Sequence, residues 1–425
     1  LKKEHFFFMT LARFFVRTFL GKCLKTTLIP DCRVFVKKLD LDNDVLSNRL
    51  RTLLGCERDR KSFGLRLFFG SAMLLWGVAA LISWFEGSFW PKENLLSPFC
   101  WDVSMYSLFL FALPVILGNG PTFADVQHRV LAAMLEEGVM DMSSAQYDEI
   151  VEETNAILNG KKLHALMLGG AWFASLSWAY TSLHLLMGSW HGIPNATGLR
   201  ESSWALLYVA LVALPIPLYV IMAWTFKAIV WNWFVYRLSK RGLKANALHP
   251  DGAAGLGFFR YSSMAWGSYI LCVGFAVAGD VFNHLYVLHS VDFRYDVLAK
   301  IGAYVLIAPA IFLLPLIMLA PHIMRARKEG ELLLFSYGRK YAEEITYTLQ
   351  HSRAGSDGET PSAHQGYWSG LCDYLSVYDR VRSMNLVPLD LAAILRIAVT
   401  VAAPLLPLIA PKLPFVARFI EAWIN

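Results

Sequence analysis

Seven apolar stretches constrain this chain more than any other feature. They lie at about 67–85, 103–118, 165–188, 203–225, 264–283, 300–320 and 391–410. A helix needs roughly 20 apolar residues to cross a hydrocarbon core of about 30 Å. Backbone groups in lipid must find partners within their own segment, so runs of this length are helices. Charged residues make up 17% of the 425, against about 25% in soluble domains. The expected fold is all-α and polytopic, with about seven transmembrane helices and helical cytoplasmic extensions. Its first partner is the lipid bilayer.

Charge gives an orientation, because positively charged loops stay in the cytoplasm. Counting Lys and Arg in alternate connecting segments puts 32 on one side and six on the other, with Arg396 inside the last stretch. The expectation is a bacterial inner-membrane protein with a cytoplasmic N-terminus and a periplasmic C-terminus. The second stretch, MYSLFLFALPVIL, is short, holds Pro114 and runs into GNGP, so it reads as a crossing or as a re-entrant segment. Omitting it would expel the six basic residues of 226–263, and the charge count favours a crossing. Basic residues do not gather on one soluble face, so nucleic acid is not an expected partner.

The chain divides into a basic segment 1–66, a transmembrane hairpin 67–118 and an acidic helical hairpin 119–162. A four-helix core 163–320 follows, then a cytoplasmic helical segment 321–390 with a mobile loop at 352–366, and a last span with its tail at 391–425. The first residue is Leu1 and the first methionine Met9, as in a bacterial frame whose start codon reads as leucine, or in a trimmed chain. FFFMTLARFFVRTFL, broken by Arg13 and Arg17, reads as a basic amphipathic helix on an anionic membrane surface or as a helix packed on the cytoplasmic domain. Ser143-Ser-Ala-Gln146 fits a capping box opening a helix that runs to Asn159. Its acidic side chains form a solvated face or a docking face for the basic N-terminal segment. Six cysteines without a CxxC pair are expected as free thiols. Trp84, Trp90, Trp101, Trp190, Trp204 and Trp231 fall near the ends of the stretches, as interfacial tryptophans do.

Residues 248–259 read LHPDGAAGLGFF. His249-Pro-Asp251 invites a chaperone J-domain reading, but a membrane-like segment follows where a charged helix is needed. The glycines run opposite to the dinucleotide order, with no P-loop Lys-Ser/Thr after them. What remains is a bend stiffened by Pro250, with Asp251 able to cap the next helix. Gly255 and Gly257 allow close backbone approach.

Asp280 and His284 lie four residues apart on one helical face near a span end. His184 ends another span on the same side. Together they are a candidate metal or proton site, or interfacial residues wetted by headgroups. Arg396 either snorkels to the interface or pairs with an acid along a path. Prolines at 215, 217, 404, 407 and 411 kink or end their helices. No catalytic set, cofactor motif or spaced metal ligands are expected.

Three stretches, HPDGAAGLGFF at 249–259, PHIMRARKEGELLLFSYGRKY at 321–341 and LSVYDRVRSMNLVPLD at 375–390, resemble a family of uncharacterised bacterial polytopic inner-membrane proteins. That family has an HPDxxxGLGF-type cytoplasmic loop and a Pro-rich last transmembrane helix. The resemblance covers the C-terminal half, implies a bacterial membrane location, and supplies no activity or catalytic residue.

Three functional readings follow. The first is a channel- or transporter-like protein, as a monomer or homo-oligomer, motivated by Asp280, Arg396 and the kinked helices. A non-catalytic signalling or assembly module would instead recruit a cytoplasmic partner through 1–66, 119–162 or 321–390. A membrane-embedded enzyme acting on lipid would need His249 and Asp251 to converge on a headgroup.

Overall fold

The computed structural model describes residues 37–41, 66, 69–92, 95, 97–140, 142–185, 189–194, 200–287, 294–352 and 362–409. The amphipathic N-terminal stretch and Cys23, Cys32 and Cys56 lie outside them. In chain order the helices are α1 (Phe69–Phe85), α2 (Val103–Glu136), α3 (Ser144–Leu158) and α4 (Lys161–Leu185). After them come α5 (Trp204–Lys240), α6 (Phe259–Tyr286), α7 (Arg294–Ser352), α8 (Ser362–Arg382) and α9 (Leu391–Ile409). A small antiparallel hairpin, β1 (Gly192–Pro194) with β2 (Arg200–Ser202), pairs Ile193 with Glu201. The fold is all-α.

Helices α2, α5, α6, α7 and α9 are each long and apolar enough to cross a membrane. The chain is therefore a multi-pass integral membrane protein. Of the seven expected spans, α1 is short and α4 falls below the same standard, although it has 25 residues. Serines, glycines and low-scoring Trp and Tyr dilute the hydropathy of α4. It nevertheless lies along α5, with Ser175 Oγ donating to the Ala210 carbonyl at 2.7 Å and His164 bonded to the Tyr219 hydroxyl at 2.9 Å.

The connections sort to two ends of the bundle. At the hairpin end, Trp190 N–H bonds the Ser97 carbonyl at 3.0 Å, and Glu86 accepts from the first two N–H groups of α5. The acid meets the positive end of that helix. At the opposite, loop end, Lys244 N–H bonds the Val139 carbonyl at 2.8 Å and Arg260 pairs with Asp390 at 3.0 Å. The second stretch is no re-entrant segment: α2 runs unbroken from one end to the other. GNGP does not interrupt it, because Asn119 bonds Ser268 on α6 and Phe123 packs on Trp266 with ring centroids 4.5 Å apart. Tertiary contacts hold Pro121 inside the helix against its propensity.

The middle of the bundle is aromatic. Trp224, Trp266 and Phe123 are fully buried, and Tyr269 stacks on Trp224 at 5.8 Å while bonding Thr225. Trp190 and Trp231 are also fully buried, so these two are core residues and not interfacial anchors. The kinks take recognisable forms: a π-turn at Val209–Ala213 just before Pro215, and a 3-10 turn at Ala403–Leu405 around Pro404.

At the loop end, the capping box is present, with Ser143 and Gln146 each bonding the other's backbone N–H. The acidic face of α3 is an interface. Glu149 pairs with Arg241 at 3.0 Å and Glu153 with Arg237 at 2.6 Å, at the end of α5, while Glu152 meets Lys37. Asn155 and Asn159 hold residues 38–40, and the buried Lys227 donates to the Leu41 carbonyl at 2.8 Å. Half-exposed ion pairs contribute about 0.2–1 kcal/mol each, so they set register more than stability. Cys100, Cys272 and Cys372 form no disulfide.

Helix α7 is a rod of 59 residues, about 88 Å at 1.5 Å per residue. Helix α8 folds back along its far half. Glycine on each partner admits a tyrosine of the other: Tyr374 sits over Gly338 and Tyr341 over Gly370. Tyr374 also donates to the Leu334 carbonyl at 2.9 Å. Helix α8 begins at Ser362, five residues inside the stretch expected as mobile loop. Ala363, His364 and Gln365 are ordinary helix residues.

Candidate functional site

The three recognisable stretches of the C-terminal half meet at the loop end. Between α5 and α6, Asp251 organises the bend. Its carboxylate accepts N–H bonds from Ala253 at 2.9 Å, Gly255 at 3.0 Å and Gly257 at 2.8 Å. Asp251 does not cap α6, whose first turn lacks a side-chain cap. The carboxylate fills the loop's own nest of N–H groups, where a phosphate would otherwise sit. Burial opposes its ionisation, but the three N–H groups and His249 outweigh that, holding its pKa below the usual carboxylate value.

Gly255 has φ +85°, and a Cβ there would stand 2.9 Å from Val139 Cγ2. Both conformation and space require glycine, which lets the bend rest on the end of α2. Likewise a Cβ on Gly257 would meet Asp251 Oδ2 at 2.9 Å. His249 Nδ1 lies 2.9 Å from Asp251 Oδ1. The Asp251 N–H also donates to Nδ1 at 3.3 Å, and Nε2 lies 3.9 Å from Glu137 Oε2.

Asn385 N–H from the third stretch bonds the Gly252 carbonyl at 3.3 Å, and Val381 packs over Gly330 of α7. Between the bend and α7 opens a cleft of 760 Å³, within the usual range for ligand pockets. Residues His322, Arg325, Ala326, Glu329, Gly330 and Leu333 line it from α7, repeating at helical spacing on one face. Glu137, Lys244 and His249 add polar groups opposite Val139, Leu243 and Leu248. Chemically, the lining offers an occupant both charges, from Arg325 and Lys244 and from Glu137 and Glu329, beside apolar side chains. No serine, threonine or cysteine is among the described lining residues to act as a nucleophile.

The second polar cluster lies at the hairpin end. Asp280 and His284 are 3.8 Å apart, as their spacing implies, and Lys300 bridges Asp280 at 2.7 Å and Asp296 at 2.6 Å. His184 does not join them; it packs on Tyr180 of its own helix at 4.5 Å. Arg396 is exposed on α9, with no ion pair among the described residues. Asp102, fully buried, was not singled out by sequence. It caps α2 and accepts from Trp190 Nε1 at 2.9 Å and Asn283 Nδ2 at 3.2 Å. Among the described residues, no three His, Cys, Asp or Glu side chains are grouped to hold a metal. Lys300, Asp102 and the cleft face of α7 were missed. The regular spacing of the α7 face was the signal that could have revealed it.

Comparison with protein-family models, curated proteins and solved structures finds no match. The functional reading therefore rests on geometry.

Proposed function

We propose that this chain is a bacterial inner-membrane module, without catalysis of its own, that recruits a soluble partner at its cytoplasmic face. The observation that carries the reading is the 760 Å³ cleft, built from three sequence-distant stretches around a bend pre-ordered by Asp251. Pre-ordering reduces the entropy cost of binding. The positive-inside count supports assigning the loop end, and the cleft with it, to the cytoplasm. The features that motivated a channel reading stand apart: Asp280 is ion-paired at one end, Arg396 is on the periphery, and aromatic rings fill the middle. His249 and Asp251 spend their hydrogen bonds on the bend, which favours a structural over a lipid-processing role.

A photoreactive residue in place of Leu333, inside the cleft, tests this in native membranes. The expected result is a crosslink to one soluble protein that falls at least tenfold when Asp251→Ala releases the bend. The same probe at Leu306, on the outer face of α7, should give lipid adducts only. A Leu333 crosslink unaffected by Asp251→Ala, or confined to lipid, would contradict the proposal.

A further inference from the structure

Helices α7 and α8 form a hairpin that leaves the bundle. At Gly330, α7 already touches Ala247 in the loop joining α5 to α6, so the 22 residues from there to Ser352 rise about 33 Å beyond the connecting loops. On the positive-inside reading this is the cytoplasmic side, past the loops that close the bundle. Yet Leu332 is 72% exposed, Phe335 66% and Tyr337 63%, and on α8 Leu375 and Val377 are exposed. Apolar groups clustered this way outside lipid mark an interaction surface.

Charge selects the occupant. From Arg327 to Glu344, α7 carries four basic and four acidic side chains, and α8 carries two of each. A strongly acidic or basic partner gains nothing from this neutral surface. The levels of the two helices are fixed by the contacts of Gly330 with Val381 and of Gly338 with Tyr374. At equal height, Arg380 stands level with Glu331, and Asp373 with Arg339. Phe335 of α7 falls between the levels of Leu375 and Val377 of α8, and Leu332 stands level with Asp379. Glu331 and Arg339 pair along α7 with Arg327 at 2.9 Å and Glu343 at 3.8 Å, while Asp373, Arg380 and Arg382 form no ion pair among the described residues.

We propose that the outer face of α7 docks on α8 of a second copy of this chain in the same membrane, joining copies side by side around a common axis. Copies in one bilayer stand at the same height, so the level matching within one hairpin recurs between neighbours. Such a head-to-tail contact closes into a ring when its rotation permits. The proposal goes beyond the recruitment reading, since each copy keeps its own cleft.

The test uses two differently tagged full-length copies made in the same cells. Wild-type copies are expected to co-purify, and light scattering of the detergent-solubilised protein should give a mass of two or more chains. Leu332→Asp with Phe335→Asp should weaken association at least tenfold, since each buried apolar side chain contributes more than a factor of ten requires. Both positions are exposed, so folding is spared. Glu331→Arg should also weaken association, and adding Arg380→Glu in the same chain should restore it. Copies that never co-purify, or variants that associate like wild type, would overturn the proposal. So would a surface that captures only a different protein.

Discussion

Asp102→Ala is expected to lower the stability of the purified protein by about 3–5 kcal/mol. The carboxylate caps α2, and removing a cap costs up to about 2 kcal/mol. It also leaves Trp190 Nε1 and Asn283 Nδ2 without their acceptor in the interior, each at roughly 1–3 kcal/mol. Three chain segments lose their common anchor at once: the start of α2, the loop before β1 and the end of α6. Thermal unfolding in detergent measures this, with Tm falling by several degrees. Asp102→Asn keeps one acceptor oxygen and should cost less. Equal Tm values for wild type and Asp102→Ala would show that the anchor contributes nothing.

The second large effect is local. Asp251→Ala removes three charge-assisted bonds from the bend, an expected loss of about 2–4 kcal/mol in local stability after water replaces part of the contact. Amide hydrogen exchange over 246–258 should quicken by 30-fold or more, while exchange in the middle of α6 stays unchanged. The pH dependence has a definite sign. The folded pKa of Asp251 is depressed, so its contribution is full above the ordinary carboxylate pKa of about 4 and is lost as pH falls through the folded value. Protection of the bend should therefore be flat from pH 8 to 5 and fall only in stronger acid. His249→Ala tests the same loop from its other side. It removes one partner of Asp251 but none of the three N–H bonds, so its effect should be the smaller.

What sequence made legible here is what depends on near neighbours along the chain. The Ser143–Gln146 box forms within one turn, and Asp280 meets His284 because four residues make a helical repeat. The apolar runs announce α5, α6, α7 and α9 by length alone, and α2 with the charge count beside it. Legibility failed where partners are distant. Trp190 and Asn283 stand 88 and 181 residues from Asp102, and nothing local marks that carboxylate as shared. Lys300 stands 20 residues from Asp280, and only the return of the chain along α7 brings the two together. Trp231 shares its end-of-span position with exposed Trp204 but turns inward, since rotation about the helix axis is set by packing. The bend was recognised as a feature, and its purpose was misread: Asp251 caps the loop's own N–H groups and leaves α6 uncapped. Two of the stretches that stand out as patterns, 249–259 and 321–341, line one cleft with the end of α2, and only folding shows it.

Everything assigned to the recruitment face depends on that face being cytoplasmic. The direct measurement is thiol labelling of intact bacterial cells with a membrane-impermeant maleimide, in a chain whose six native cysteines are changed to serine. With Trp90→Cys added, at the exposed hairpin end, the chain is predicted to label in intact cells. With Leu375→Cys added instead, on the exposed face of α8, it is predicted to stay unlabelled until the membrane is opened. Labelling of Leu375→Cys in intact cells, with Trp90→Cys protected, would invert the topology and contradict the account.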